Sequence, residues 1–343
     1  MTSLSPAYAQ NAQRGSDYTE LSRRIRNAGL LEKRHLYYVV TFAATLGLYA
    51  GGWVAFFLLG DSWYQLIVAA VLGMAFTQVG FLGHDVGHRQ VFRSRRASDI
   101  TGVLLANLGV GFSYGWWVGK HTRHHANPNH VDHDPDISDG GALAWTETQA
   151  RTRDGFRRIL AKFQGWLFFP MLFFTGAVLH WESIRSLRSV TVKNKAAEVT
   201  LLAVHLIGYP ALLVTFLSPL KALAFLAIQQ GVFGFYMGCS FAPNHKGMEI
   251  IDEKTDFLRK QVLTSRNVRG GPLVDVALGG LNYQIEHHLF PSMPRPNLRH
   301  AQPIVRAYCA ELDVSYHETE LIDSYRQALA YLHETGRVLP SLE

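Results

Sequence analysis

Cysteine is scarce in this chain. Its two cysteines, Cys239 and Cys309, lie far apart and outside any CxxC spacing, which excludes a disulfide framework and a cysteine-bound redox centre. Internal repeats and low-complexity tracts are absent too. AYAQ at 7–10 resembles a cleavage site, but no apolar run precedes it, so it is not read as a signal peptide. Residues 1–16 are polar and expected to be disordered. The net charge of +6 is not gathered into a basic domain; Lys and Arg flank apolar runs, which argues against a nucleic-acid partner. A mean hydropathy near zero conceals long apolar blocks separated by polar ones rich in histidine. That alternation points to an integral membrane protein with a polar catalytic face.

What the chain does have is histidine, 16 in 343 residues. WWVGKHTRHHANPNHVDHDPDI at 116–137 holds His121, His124 and His125 within five residues, and on a helix these positions share one face. His84 and His88 stand four apart in HDVGH, and QIEHH carries Gln284, His287 and His288. His245 stands alone, just after an apolar run.

Four stretches are read as membrane-crossing helices: 36–60, 62–83, 199–217 and 222–241, each apolar and about long enough for a bilayer. They form two hairpins, and the basic residues after the second crossing (Arg89, Arg93, Arg95, Arg96) place the hairpin ends in the cytoplasm. The histidine clusters can meet only if an even number of crossings separates them. The glycine-rich stretch 100–119 is therefore read as buried against the protein or dipping into the leaflet. The stretch 163–181, basic on both sides and containing Pro170, is read as interfacial. The expected architecture is all-α: residues 1–34 as a cytoplasmic tail with a basic interfacial helix over 17–34, 35–310 as the membrane domain, and 311–343 as cytoplasmic amphipathic helices. The helical cap on the cytoplasmic side holds the histidines.

Imidazole suits iron, zinc, copper or nickel. A catalytic zinc takes three protein ligands, so eight clustered imidazoles exceed one zinc and match two metals with open positions between them. Not every histidine belongs. His180 and His205, inside apolar stretches, are read as packing residues; His35, His300, His317 and His333 as surface; His130 and His133 as loop residues outside the ligand set.

HDVGH, HTRHH and QIEHH resemble the three histidine boxes of membrane fatty acid desaturases, and the glutamine opening the third box resembles the front-end group. WWVGK before the second box, ANPN and DPDI after it, and NYQIEHHLFPSMPR around the third match as well. The resemblance covers about residues 20–310. It implies a non-haem di-iron enzyme that takes two hydrogens from a long acyl chain, with O₂ as co-substrate and two external electrons. It carries His84, His88, His121, His124, His125, His245, His287 and His288 over as iron ligands. Gln284 is either a weak ligand or a water-mediated neighbour, and Asn244, preceded by Ala242-Pro243, is a further candidate near the metal. Asp85, Asp134, Asp136 and Glu286 are expected to orient the outer imidazole N–H groups. Trp116, Trp117, Tyr283 and Phe290 are candidates to line the acyl tunnel.

Many front-end desaturases carry a fused cytochrome b5 domain with an HPGG motif, which this sequence lacks. A separate donor is therefore expected, a ferredoxin or cytochrome b5-like carrier with its reductase, drawn to the basic face. With no targeting signal found, a bacterial plasma membrane is the expected location. A di-iron hydroxylase of a lipid or hydrocarbon is the nearest rival. A membrane zinc hydrolase would use fewer histidines and a carboxylate base, and a metal transporter would bury its polar residues within the spans.

Overall fold

The computed structural model describes residues 16–188, 194–251 and 255–339; the expectation for residues 1–15 lies outside them. Four helices are long and apolar enough to cross a membrane: α2 (His35–Leu59), α3 (Gln65–Gly87), α10 (Lys195–Phe216) and α11 (Pro219–His245). α1 (Asp17–Asn27) precedes them. α3 is the central one, with 67% of its apolar window buried against 17% for α2. The outward side chains of α2, such as Val39, Val54 and Leu58, are exposed, as a lipid-facing surface requires.

α3 packs chiefly on α11 and α2. Glycine allows the close approach to α11, since a Cβ on Gly73 would lie 2.8 Å from the Gln229 carbonyl oxygen. The links after α2 and before α11 meet, because Asp61 accepts from Ser218 N at 2.9 Å and pairs with Lys221 at 3.1 Å.

Both box-bearing helices run further than the apolar pattern predicted. α3 extends to Gly87 and α11 to His245, so the first box and His245 sit on the final turns of these helices. The helix register reaches the first box, where α3 ends at Gly87 with His88 as its cap, and carries α11 to His245. α11 also begins at Pro219, where the sequence led us to expect a four-residue link.

The stretch 100–119 makes no straight span. α4 (Arg95–Val103) passes into a π-helix, Leu104–Val110, then turns at Gly111 (φ +89) into α5, Tyr114–Ala126. The π-helix packs on α3 and α10. Ser113 caps α5 by accepting from Trp116 N, and buried Glu198 of α10 accepts from the Ser113 hydroxyl at 2.5 Å and from Gly115 N at 3.0 Å. The second box is thus tied at its N-terminus to a long helix.

α6 (Glu147–Thr152) and α7 (Gly155–Lys162) lead to α8 (Gln164–Leu172) and α9 (Thr175–Ser186), which meet at 76°. The interfacial reading of 163–181 thus falls on a bent pair. After α11 come α12 (Phe257–Leu263), β1 (Asn267–Arg269), α13 (Pro272–Ala277), α14 (Gln284–Leu289), α15 (Arg295–Glu311), β2 (Glu318–Glu320) and α16 (Leu321–Arg337). β1 and β2 pair in parallel, a three-residue departure from the all-helical expectation.

The basic segment 17–34 turns its apolar residues into the protein. α1 buries Leu21 and Ile25 completely in a core with Leu258, Ile285, Leu298 and Val305, while Arg24 pairs with Glu311 at 2.6 Å. Its apolar stripe fits the groove over α12, α14 and α15.

Candidate metal centre

The ends of α3 and α11, the last turns of α5 and the whole of α14 converge. Ligand nitrogens of His84, His88, His121 and His287 lie within 4.8 Å of one another, and so do those of His124, His245 and His288. His125 stands between the two sets: its Nε2 is 3.1 Å from His121 Nε2, and its ring stacks on His288 at 4.2 Å between centroids. All eight histidines singled out in the sequence are therefore brought together. They start 204 residues apart along the chain, from 84 to 288.

The outer ring nitrogens have partners that turn Nε2 inward. His124 Nδ1 is 3.0 Å from Asp134, His245 Nδ1 is 2.9 Å from the Thr264 carbonyl, and His288 Nδ1 is 2.9 Å from Gln261 Oε1. Asp134 is held in turn by the N–H groups of Asn129 (2.7 Å) and Asp136 (2.8 Å). Such partners fix the tautomer and aim of metal-binding imidazoles. Asp85 lies 3.4 Å from His84 Nδ1 and pairs with buried Arg295 at 2.7 Å. Asp136 pairs with Lys120 at 2.5 Å and reaches His124 only at 3.5 Å.

Glu286 does something different from the expectation. Its carboxyl turns away from the imidazoles and accepts from Asn267 and Tyr316, each at 2.7 Å, and burial pushes its pKa up to about 7. The same Asn267 accepts from Ile285 N at 2.9 Å, so the pair fastens α14 rather than orienting a histidine. Gln284 lies with its side-chain nitrogen 2.9 Å from His245 Nε2, and Asn244 donates to Gln284 Oε1 at 3.2 Å.

A metal fits what these residues present. The Nε2 atoms of His84, His88 and His287 are buried with no hydrogen-bond partner among the described residues, an expensive arrangement unless something else binds them. Burial, and then the neighbouring imidazoles, hold His121, His125, His287 and His288 well below the usual histidine range. The neutral form they keep is the ligating form. His124 is the exception: burial pushes it down, but Asp136 and Asp134 outweigh that and raise it.

A cavity of about 330 Å³ opens beside the histidines, lined by His84, His121, His124, His245 and His287, with Trp116 and Trp117 among its walls. Tyr283 and Phe290 are not on that wall; both belong to the core around α1, α12 and α14. His130 and His133 pack on each other at 4.5 Å outside both sets. His180 and His205 bond the carbonyls of Val110 (3.2 Å) and Leu108 (2.7 Å), serving acceptors that the π-helix leaves open. Sequence reasoning missed Gln261, Thr264, Asn129 and Arg295. Their roles come from distant chain segments meeting, and no local spacing marks them.

A family description reading fatty acid desaturase matches residues 61–320. Among similar proteins, an acyl-lipid (9-3)-desaturase of Physcomitrium patens is 30% identical over 93% of this chain, which spans 62% of that protein. A delta(8)-fatty-acid desaturase of Euglena gracilis is 30% identical over 91% of the chain and 77% of its own length. A delta(6)-fatty-acid desaturase of Caenorhabditis elegans is 29% identical over 94% and 76%. These relatives are eukaryotic and lend the bacterial location no support. With the family match covering most of the chain and its histidines gathered in one place, the chain belongs to the fatty acid desaturase family.

Proposed function

We propose that the chain is an O₂-dependent acyl desaturase of the front-end kind, forming a double bond in a long-chain acyl substrate. The observation that carries this is the convergence of eight imidazoles, three with buried and unpartnered Nε2 atoms, beside a largely apolar cavity that five of them line. His84, His88, His121 and His287 would hold one iron, and His124, His245 and His288 the other, with His125 between them; Gln284 is a neighbour of the second set. Non-haem iron bound there supplies the capacity to reduce O₂ and to draw hydrogen from an unactivated methylene.

The protein's own residues do the rest. Asp134, Thr264 and Gln261 keep three imidazoles aimed inward. The aromatic wall excludes water and holds a methylene beside the histidines, and near-attack placement of this sort selects which carbons react. α2 with α3, and α10 with α11, form the two membrane hairpins, with the histidines and the C-terminal helices on the cytoplasmic side. Electrons come from a separate carrier attracted to the basic face of that side.

The test is lipid analysis. The chain is expressed beside a ferredoxin–reductase system, and fatty-acid methyl esters are profiled with double-bond localisation. A new unsaturated species, absent from the His124→Ala variant, is the expected result, with about two irons per purified chain. A new hydroxylated lipid would favour the hydroxylase instead, and one zinc per chain would sink the di-iron reading.

A further inference from the structure

The charged end of the same cavity holds two lysines that the reaction, as described, does not use. Lys120, Asp134, Asp136 and Lys246 all line it. Matching these charges leaves one over. Asp134 accepts from His124 and from two backbone N–H groups, and Asp136 pairs with Lys120 at 2.5 Å. The Lys246 ammonium lies 4.2 Å from the centre of the Trp145 ring. Among the described residues it has no hydrogen bond and no ion pair, and Asp136 and Asp134 act on it only at longer range.

A partly buried ammonium has three donors to satisfy, and a ring face compensates its charge without accepting them all. Beyond it the cavity wall is apolar, with Leu172, Leu179, Met237 and Phe241. One ligand satisfies both halves: an amphiphile with an anionic head at Lys246 and a hydrocarbon tail along that wall. Lysine meets phosphate as a mobile point charge with several donors.

We propose that Lys246, presented by the Trp145 ring, binds a phosphate of the substrate's head group and so sets the depth to which the acyl chain enters. This rests on the desaturase reading only in taking the tail to be acyl. The phosphate can come from a coenzyme A thioester or from a phospholipid. Because Lys246 directly follows His245, the anchored end of the ligand stays beside the histidine cluster.

The test is binding, not turnover. The full iron-loaded chain in lipid nanodiscs is titrated with oleoyl-CoA, oleoyl lysophosphatidic acid and oleyl alcohol. Quenching of tryptophan fluorescence reads occupancy, since Trp116, Trp117 and Trp145 line the cavity. Lys246→Gln is expected to weaken at least one phosphate-bearing probe by about 10- to 100-fold, the loss of a charge-assisted hydrogen bond. Oleyl alcohol should bind as before, and Lys246→Arg should keep most of the phosphate affinity. A shift confined to oleoyl-CoA identifies the thioester as the source, and one confined to the lysolipid identifies the membrane. Wild-type affinity of Lys246→Gln for both phosphate probes overturns the proposal, and so does an equal loss for all three ligands. If this binding pattern holds while no unsaturated product forms, the desaturase reading fails and the anchor stands.

Discussion

At the scale of single residues, the centre is governed by what holds the outer edge of each imidazole. Asp134 is buried and joins His124 to the backbone of the loop that follows the second box. Asp134→Ala should lower iron retention or desaturation by about 10- to 100-fold, the usual effect of removing a partner of this kind. Exposed Asp132→Ala should change neither. Iron per purified chain decides, and equal iron in both variants would deny Asp134 its orienting role. Cys309 makes a separate case. It is fully buried, and burial pushes its thiol up to about 12, so it stays protonated and unreactive at neutral pH. Maleimide should leave Cys309 unlabelled in the native protein and label it after denaturation, read by peptide mass; rapid native labelling would contradict the packing around α15.

At the scale of elements, α14 has only six residues, too few to be stable by itself. Its start is held twice: Asn267 serves its first turn, and the glycine turn Gly279-Gly280 (φ +61 and +76) delivers the chain into it. A side chain on Gly279 would be strained by that φ and would place its Cβ 2.5 Å from the Phe81 ring. Gly279→Ala should therefore cost more than the roughly 1 kcal/mol of the left-handed conformation alone. The expected sign is a lower thermal midpoint and less iron, because His287 and His288 move with α14. A midpoint equal to wild type would show that the turn adapts freely. A glycine pair is a turn signal by itself, but its contact with α3 depends on Phe81, which is remote in the chain.

At the scale of the whole molecule, the histidine cluster joins α14, which packs in one core with α1, α12 and α15, to α3, α5 and α11, which share another. A ligand bound only by the folded state stabilises it in proportion to its occupancy, about 2.7 kcal/mol at a hundredfold excess over its dissociation constant. Removing iron with a chelator should lower the unfolding midpoint by several degrees, and ferrous iron should restore it. A midpoint indifferent to iron would remove the case for a shared metal. A metal shared by these helices would satisfy the buried Nε2 atoms of His84, His88 and His287.

The long apolar runs and the box spacings were readable because each is a local property: hydropathy over about twenty residues, or a three- to four-residue step on one helix face. The sequence alone singled out the eight histidines that the fold gathers in one place. It did not determine what α1 covers, that Glu286 serves Asn267 and Tyr316, or that Tyr283 and Phe290 belong to a core instead of the cavity. It also could not show that Lys246 is left without an ion pair. Those facts depend on contacts between segments tens to hundreds of residues apart. Only the packing of the helices brings those segments together, and burial then decides which polar groups must find partners.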